Sequence, residues 1–71
     1  MICDFVIDSF AWIEYFRGSE KAKMIDGYLQ HHSIATPTIV LAELSDYYER
    51  EKINDWDRDM LFISSKTAII D

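Results

Sequence analysis

The chain has 71 residues, of which 49% are hydrophobic and 28% charged, a composition typical of one small globular domain and not of a disordered, collagenous or membrane-spanning chain. Thirteen acidic residues against seven basic ones give a formal net charge of −6, so the chain lacks the basic surface of a passive nucleic-acid binder. Chemistry on a nucleic acid would therefore need a cation as mediator. The single cysteine, Cys3, has no partner for an internal disulfide, and no signal peptide or membrane span is indicated, so we expect a cytoplasmic location.

The opening residues predict a strand followed by a helix. Residues 2–8 form a short apolar run that favours a β-strand and ends in the acid Asp8. Ser9 is the expected N-cap of a helix over 10–17, because its hydroxyl can accept a hydrogen bond from a free amide of the first turn. Gly18 is expected to end this helix, since glycine readily adopts the left-handed conformation that closes many helices.

A second helix and a second strand are predicted next. Ser19 is the expected N-cap of a helix that reaches about residue 30, and residues 31–35 are predicted as a strand. Thr36 followed by Pro37 predicts the start of a third helix, with proline in the first turn, where its missing N–H costs nothing.

The remaining residues predict two more helices and a final strand. The third helix is expected to extend to residue 51, because apolar side chains recur at steps of three and four residues from Val40 onward. Asn54 with Asp57 resembles a weak capping box that opens a fourth helix, and residues 67–71 are predicted as a strand. The predicted order is β-α-α-β-α-α-β, which favours an α/β fold with a short parallel sheet flanked by helices.

Two acids are candidate functional residues. Ligands of open α/β sheets bind outside the carboxyl ends of the strands, and Asp8 lies where the first strand is expected to end. Glu43 lies at the margin of the apolar face of the third helix and could lean toward the same edge. Two carboxylates held together repel each other unless a cation lies between them, and Mg²⁺ and Mn²⁺ prefer such oxygen ligands. The alternative is that Asp8 is a turn residue and Glu43 a solvated helix residue.

Two other groups of side chains have ordinary explanations. His31 and His32 are adjacent and point in different directions, so a solvated helix end is favoured over a metal site. Trp12, Tyr15 and Phe16 fit core packing as well as they fit a partner-binding surface.

Three segments of the chain resemble the PIN-domain ribonucleases, particularly the VapC-type toxins of bacterial and archaeal toxin–antitoxin pairs. They are FVIDSFAWIEYFRG (5–18), IATPTIVLAELSDYYER (34–50) and TAIID (67–71). The most specific features are an acid that closes the first strand before a serine and an aromatic-rich helix, and a Thr-Pro-Thr with an acid six residues beyond the proline. The resemblance covers all 71 residues but only about the N-terminal half of the family's domain, so residues 1–71 are expected to be the N-terminal portion of a truncated PIN-like domain.

This resemblance implies an activity and the residues that carry it. Asp8 matches the family's first metal-binding aspartate and Glu43 the glutamate of its acidic pocket, so both are implied to bind Mg²⁺ or Mn²⁺ and to act in catalysis. Ser9 matches a small hydroxyl residue beside the metal. Asp46, one turn after Glu43, is a further supporting candidate. The implied reaction is metal-dependent hydrolysis of an RNA phosphodiester, and the implied protein partner is an antitoxin.

The resemblance also implies that the acidic site is incomplete. The family's further aspartates lie in the half that this chain lacks, and one or two carboxylates hold Mg²⁺ loosely, so an inactive isolated chain is one expected outcome. The alternatives are a catalytically dead PIN relative that binds a partner protein, and a structural α/β fragment without activity. An unpaired sheet edge and uncovered helix faces predict a homo-oligomer, with no membrane association.

Overall fold

The computed structural model describes residues 3–71, in which three strands and four helices follow one another in the predicted order. The elements are β1 (Phe5–Val6), α1 (Ser9–Phe16), α2 (Lys21–His31), β2 (Ile34–Pro37), α3 (Thr38–Arg50), α4 (Trp56–Lys66) and β3 (Ala68–Ile70). The α/β class and the β-α-α-β-α-α-β order are confirmed. Ile2, where the first strand is predicted to begin, lies outside the described residues. Within residues 3–71, no helix has the length and apolar character needed to cross a membrane.

The sheet is parallel, as predicted, and β2 is its central strand. The strand order is β1-β2-β3, with Thr36 of β2 paired with Ile69 of β3. The two crossovers step in the same direction across the sheet, and right-handed crossovers of this kind place their helices on the same face. The rings of Trp12 in α1 and Phe62 in α4 agree with this arrangement, since their centroids lie 6.3 Å apart.

The N-cap of α1 is Asp8 and not Ser9. The backbone of Asp8 is extended, and its Oδ1 accepts a hydrogen bond from the N–H of Ala11 at 2.8 Å, which makes Ser9 the first helical residue. The prediction for Ser9 was wrong because two neighbouring residues were both suitable caps, and the carboxylate adds a charge that the helix dipole favours. Gly18 follows the helix as predicted, with a φ of +72°.

The residues before α2 and β2 also differ from the prediction. The N-cap of α2 is Glu20, which makes no side-chain capping bond. The hydroxyl of Ser19 instead donates to the carbonyl oxygen of Glu14 at 3.2 Å, so it stabilises the turn between the two helices. Since α2 continues to His31, β2 begins at Ile34, three residues later than predicted.

Thr36 is a residue of β2 and not the N-cap of α3. Pro37 is the last residue of β2 and has the N-cap position, and the helix begins at Thr38. Thr36 is fully buried, so its hydroxyl bonds to neighbouring buried side chains and is unavailable to the amides of α3. Burial of the strand therefore overrides a local signal that is typical of a helix start.

The helix α4 and the strand β3 were both predicted, and only their first or last residues differ from the prediction. α4 begins at Trp56, behind an N-cap at Asp55 that makes no side-chain capping bond, so the capping box predicted for Asn54 and Asp57 is not formed. β3 occupies the middle of the predicted strand over residues 67–71.

The hydrophobic core contains residues of all four helices and of β2, together with Ile7. It is formed by Ile7, Trp12, Ile25, Ile34, Val40, Leu44, Tyr48 and Ile63. The apolar stripe predicted on the third helix is confirmed for Val40, Leu44 and Tyr48. Trp12 is 0% exposed, and Tyr15 and Phe16 pack against this core partly buried, so the packing explanation holds for these three aromatic residues.

A chain of hydrogen bonds crosses the core. The hydroxyl of Thr67 donates to the carbonyl oxygen of Ile63 at 2.8 Å, and its oxygen lies 2.7 Å from the hydroxyl oxygen of Thr36. Because a hydroxyl has one proton, Thr36 donates to Thr67, and Trp12 Nε1 donates to Thr36 at 3.3 Å. This chain of hydrogen bonds joins α1, β2 and the end of α4. Within residues 3–71, every buried side-chain nitrogen or oxygen has a hydrogen-bond partner.

Replacing Thr36 by valine should destabilise the fold. The change leaves the indole N–H of Trp12 and the hydroxyl of Thr67 each without one partner, and unsatisfied buried groups of this kind cost about 1–3 kcal/mol. Thr36→Ser is the matched control, because it keeps the hydroxyl and removes only a methyl group. Urea unfolding followed by tryptophan fluorescence should give the larger loss for Thr36→Val, and equal losses would contradict the hydrogen-bonded chain.

Candidate functional site

The carboxyl ends of the three strands meet at one edge of the sheet, and a polar residue follows each of them. Asp8 lies two residues beyond β1, Thr38 comes directly after β2, and Asp71 comes directly after β3. The hydroxyl of Thr38 donates to Oδ1 of Asp71 at 3.4 Å. Ligands of open parallel sheets bind outside this edge, so it is the candidate site.

Asp8 is exposed at this edge and is held there by the helix that it caps. Its Oδ1 bonds to the N–H of Ala11, whereas its Oδ2 has no hydrogen-bond partner among residues 3–71. One carboxylate oxygen is therefore free to meet a ligand. Ser9 follows as the first residue of α1 and is half-buried, and its hydroxyl makes no hydrogen bond to Asp8 in this part of the chain.

Glu43 is exposed on the second turn of α3 and forms no ion pair within residues 3–71. It follows Thr38 by five residues, which places it about 7–8 Å along the helix from the sheet edge at roughly 1.5 Å per residue. α3 packs against α1, so Asp8 and Glu43 lie on two neighbouring helices that begin at the same edge. No cluster of three or more Asp, Glu, His or Cys side chains suited to a metal ion occurs in the described part of the chain.

Asp46 lies on the exposed surface of α3 and pairs with a residue further along the helix. Its Oδ2 is 3.2 Å from Nε of Arg50, and both side chains are exposed. Arg50 is near the carboxyl end of α3, so this pair draws the carboxylate away from the sheet edge where the helix begins. An exposed pair at this spacing contributes only about 0.3–0.5 kcal/mol, so Asp46 remains able to change partners.

The side chains at this edge of the sheet offer the type of ligand atom that Mg²⁺ binds, but they offer few of them. Carboxylates of Asp8 and Glu43 and the hydroxyl of Ser9 are the hard oxygen ligands that Mg²⁺ takes. Mg²⁺ sites commonly use only one or two protein carboxylates and take further ligands from water and substrate phosphates.

A buried carboxylate, Asp59, was not predicted from the sequence. This residue is 4% exposed, and it accepts hydrogen bonds from the hydroxyl of Tyr48 at 2.6 Å and from Nε of Arg58 at 3.2 Å. Burial, and then the bond to Asp59, raise the pKa of Tyr48 above its usual range. The available signal was the spacing of four residues between Asp59 and Ile63, which puts the acid on the buried face of α4.

A second tyrosine–carboxylate pair joins α1 to α2. The hydroxyl of Tyr15 donates to Oδ1 of Asp26 at 2.6 Å, in a cleft also lined by Phe62 and Lys66. Burial, and then the hydrogen bond to Asp26, raise the pKa of Tyr15 from 10.0 to about 12. The folded chain therefore favours the protonated, neutral form of Tyr15.

One of the two adjacent histidines, His32, makes a structural contact. Nδ1 of His32 lies 3.3 Å from Oδ2 of Asp4, and the same oxygen accepts the N–H of Ser33 at 3.0 Å. The bond from Ser33, and then that from His32, lower the pKa of Asp4. His31 is exposed at the end of α2, so the two rings have different surroundings, as their adjacent positions predict.

Comparison with known proteins does not assign a family or a function to this arrangement of residues. Comparisons with protein-family models, with curated proteins and with solved structures find no match. The function is therefore inferred from the three sequence segments and from the residues at the sheet edge.

Alkaline pH should destabilise the fold through Tyr15. Folding raises the pKa of Tyr15, so its contribution to the free energy of unfolding is complete below pH 10.0. That contribution is lost as the pH rises towards about 12. The free energy of unfolding, measured with urea at about pH 9 and about pH 11.5, should fall less in Tyr15→Phe than in the parent chain. Tyr48 still titrates in this variant, so a residual fall is expected. An equal fall in both chains would contradict the contribution of the Tyr15–Asp26 pair.

Proposed function

We propose that the chain is the N-terminal portion of a PIN-like, Mg²⁺-dependent endoribonuclease, the toxin of a toxin–antitoxin pair. Asp8 and Glu43 are the metal-binding and catalytic acids of this proposal, with Ser9 and Asp46 in support. The observation that carries it is the position of Asp8, exposed at the carboxyl end of β1, with α1 packed against the helix that bears Glu43. The parallel β-α-α-β-α-α-β arrangement is the one that the resemblance implies.

The charge of the chain explains why a cation belongs to the proposal. A net charge of −6 repels the phosphates of RNA, so a divalent ion between the acids and a phosphodiester is needed to bring them together. A bound Mg²⁺ or Mn²⁺ supplies polarisation of a phosphoryl oxygen and a lowered pKa for an attacking water. Asp8 contributes a carboxylate whose direction is fixed by its bond to Ala11. A cytoplasmic location accompanies this proposal, because RNA is found there and unpaired cysteines such as Cys3 stay reduced in that compartment.

Divalent metal should raise the melting temperature of the chain, at millimolar concentrations and more with Mn²⁺ than with Mg²⁺. The reason is that an ion bound only by the folded form stabilises it by mass action, and a two-carboxylate site binds weakly. Asp8→Asn should remove the effect while it keeps an oxygen to cap Ala11, which Asp8→Ala does not. Glu43→Gln should reduce the effect, Asp46→Asn should reduce it less, and Glu49→Gln, which changes another exposed acid of the same helix, is the control.

The same variants test catalysis. Single-stranded RNA incubated with the parent chain and Mn²⁺ should be cleaved slowly, and the cleavage should disappear with Asp8→Asn and with chelator. Equal thermal shifts in the parent chain and Asp8→Asn, together with cleavage that survives the substitution, would refute the proposed site.

The second candidate is a catalytically dead PIN relative that acts as a protein-interaction module. Large apolar side chains on the helix surfaces favour it, above all Ile39 at 66% exposure and Leu61 at 71%. The small number of metal ligands also suits a module that has lost catalysis. Its partners would be an antitoxin or further copies of the chain in a homo-oligomer.

The proposed homo-oligomer should have a melting temperature that rises with protein concentration. Sedimentation equilibrium at micromolar concentration should give a mass above that of one chain, and Leu61→Glu should lower it more than Leu61→Gln, because only the former buries a charge. A well-folded monomer of the parent chain at that concentration would rule this proposal out.

A further inference from the structure

A cleft of about 400 Å³ lies between α1, α2 and α4. It is lined by Tyr15, Asp26, Leu29, Gln30, Phe62 and Lys66. Tyr15 is near the carboxyl end of α1, whereas Asp8 precedes the first residue of that helix, so roughly 10 Å of helix separates the cleft from the proposed metal site. The volume of the cleft lies within the range of roughly 300–1,000 Å³ that is usual for small-molecule sites.

One wall of the cleft is apolar and carries two aromatic rings. Tyr15 and Phe62 stack with their ring centroids 5.5 Å apart and their planes inclined by 24°. Leu29 adds an aliphatic side chain to the same cleft. All three side chains are partly buried against the core, so this wall is fixed in place. An apolar group of a ligand can pack against it.

Two opposite charges line the same cleft without neutralising each other. Oδ1 of Asp26 accepts a hydrogen bond from the hydroxyl of Tyr15 at 2.6 Å, and the other carboxylate oxygen has no partner within residues 3–71. Nζ of Lys66 lies 5.9 Å from the ring centroid of Phe62, and this ammonium forms no ion pair in the described part of the chain. Both charged side chains are exposed. The cleft therefore presents an unpaired carboxylate and an unpaired ammonium to solvent.

This pair of charges selects the class of ligand. A simple cation attracted by Asp26 is repelled by Lys66, and a simple anion attracted by Lys66 is repelled by Asp26. A zwitterion satisfies both groups, because its ammonium meets the carboxylate and its carboxylate meets the ammonium. A free amino acid carries both of these charges near neutral pH. If its side chain is apolar, it also has a group that fits the aromatic wall.

We infer that this cleft binds a free α-amino acid with an apolar side chain. The ammonium of the ligand donates to the unpartnered oxygen of Asp26, and its carboxylate pairs with Lys66. Its side chain packs against Leu29 and Phe62. The binding depends neither on a metal ion nor on the cleavage of RNA.

A bound amino acid would also stabilise the fold. Asp26 belongs to α2 and Lys66 to α4, so the ligand joins two helices through charged side chains that do not pair with each other. A ligand bound only by the folded form stabilises it by mass action. The melting temperature of the chain should therefore rise with the concentration of the amino acid.

Titration of the full isotope-labelled chain with L-leucine, followed by amide NMR spectra, tests this inference. We expect saturable shifts at the residues of the cleft, at millimolar concentrations because exposed charge pairs are weak. Isopentylamine is leucine without its carboxylate, and isocaproate is leucine without its ammonium. Each should bind at least about threefold more weakly than leucine, because it leaves one charge of the cleft unpaired and is repelled by it.

Substitutions in the chain locate the binding. Asp26→Asn removes the negative charge and keeps an oxygen for the hydroxyl of Tyr15, and Lys66→Gln removes the positive charge. Each should weaken the binding of leucine by at least about threefold. Lys23→Gln is the matched control, because it removes an exposed ammonium of α2 outside the cleft and should leave the affinity unchanged.

The melting temperature gives a second readout. It should rise with leucine in the parent chain and in Lys23→Gln, and should not rise in Asp26→Asn, while circular dichroism verifies that each variant folds. Absence of saturable shifts at the cleft would overturn the inference, as would equal affinity of the parent chain and Asp26→Asn. Isopentylamine that binds as tightly as leucine, and more tightly still to Lys66→Gln, would identify a site for simple cations and overturn it as well.

Discussion

The hydrogen-bonded chain from Trp12 through Thr36 to Thr67 is the interaction on which the arrangement of the elements depends. It passes through the central strand, and its members come from α1, β2 and the residue that ends α4. Apolar packing alone is tolerant of small shifts, whereas a buried N–H and two hydroxyls must meet their partners at fixed distances. The polar chain therefore fixes how α1 and α4 lie relative to the sheet, while the surrounding apolar residues supply most of the favourable free energy.

The position of α1 in turn fixes the candidate site. Because Trp12 anchors α1 against β2, the first turn of that helix lies at the carboxyl edge of the sheet, and Asp8 caps it there. One oxygen of the carboxylate then holds the helix and the other faces solvent. Asp8 thus stabilises the start of α1 through one oxygen and leaves the other oxygen accessible to a ligand. A substitution that keeps the capping oxygen is therefore needed to separate the two roles.

The sequence predicted the order of the elements, the parallel sheet and the apolar stripe of α3, because these depend on periodicities that burial preserves. It did not predict which residues cap the helices. Ser9 and Thr36 were both assigned as caps, and in each case the choice depends on neighbours distant in sequence or on small differences in geometry. Asp59 was missed for a related reason, since an acid in a first turn is usually solvated and only the position of Tyr48 makes it a buried partner. For the candidate site, the exposure of Asp8 at the strand end followed from the pattern, but the role of Glu43 depends on the family resemblance.

Charge determines which molecules can approach the carboxyl end of β1. Asp8 is exposed there, and in the proposed function it repels phosphate unless a divalent cation is present, so the approach of RNA depends on metal. One oxygen of the same carboxylate caps α1. An ion bound at the other oxygen would therefore be linked to the stability of the helix start, which is why the melting temperature and the cleavage are tested with the same variants.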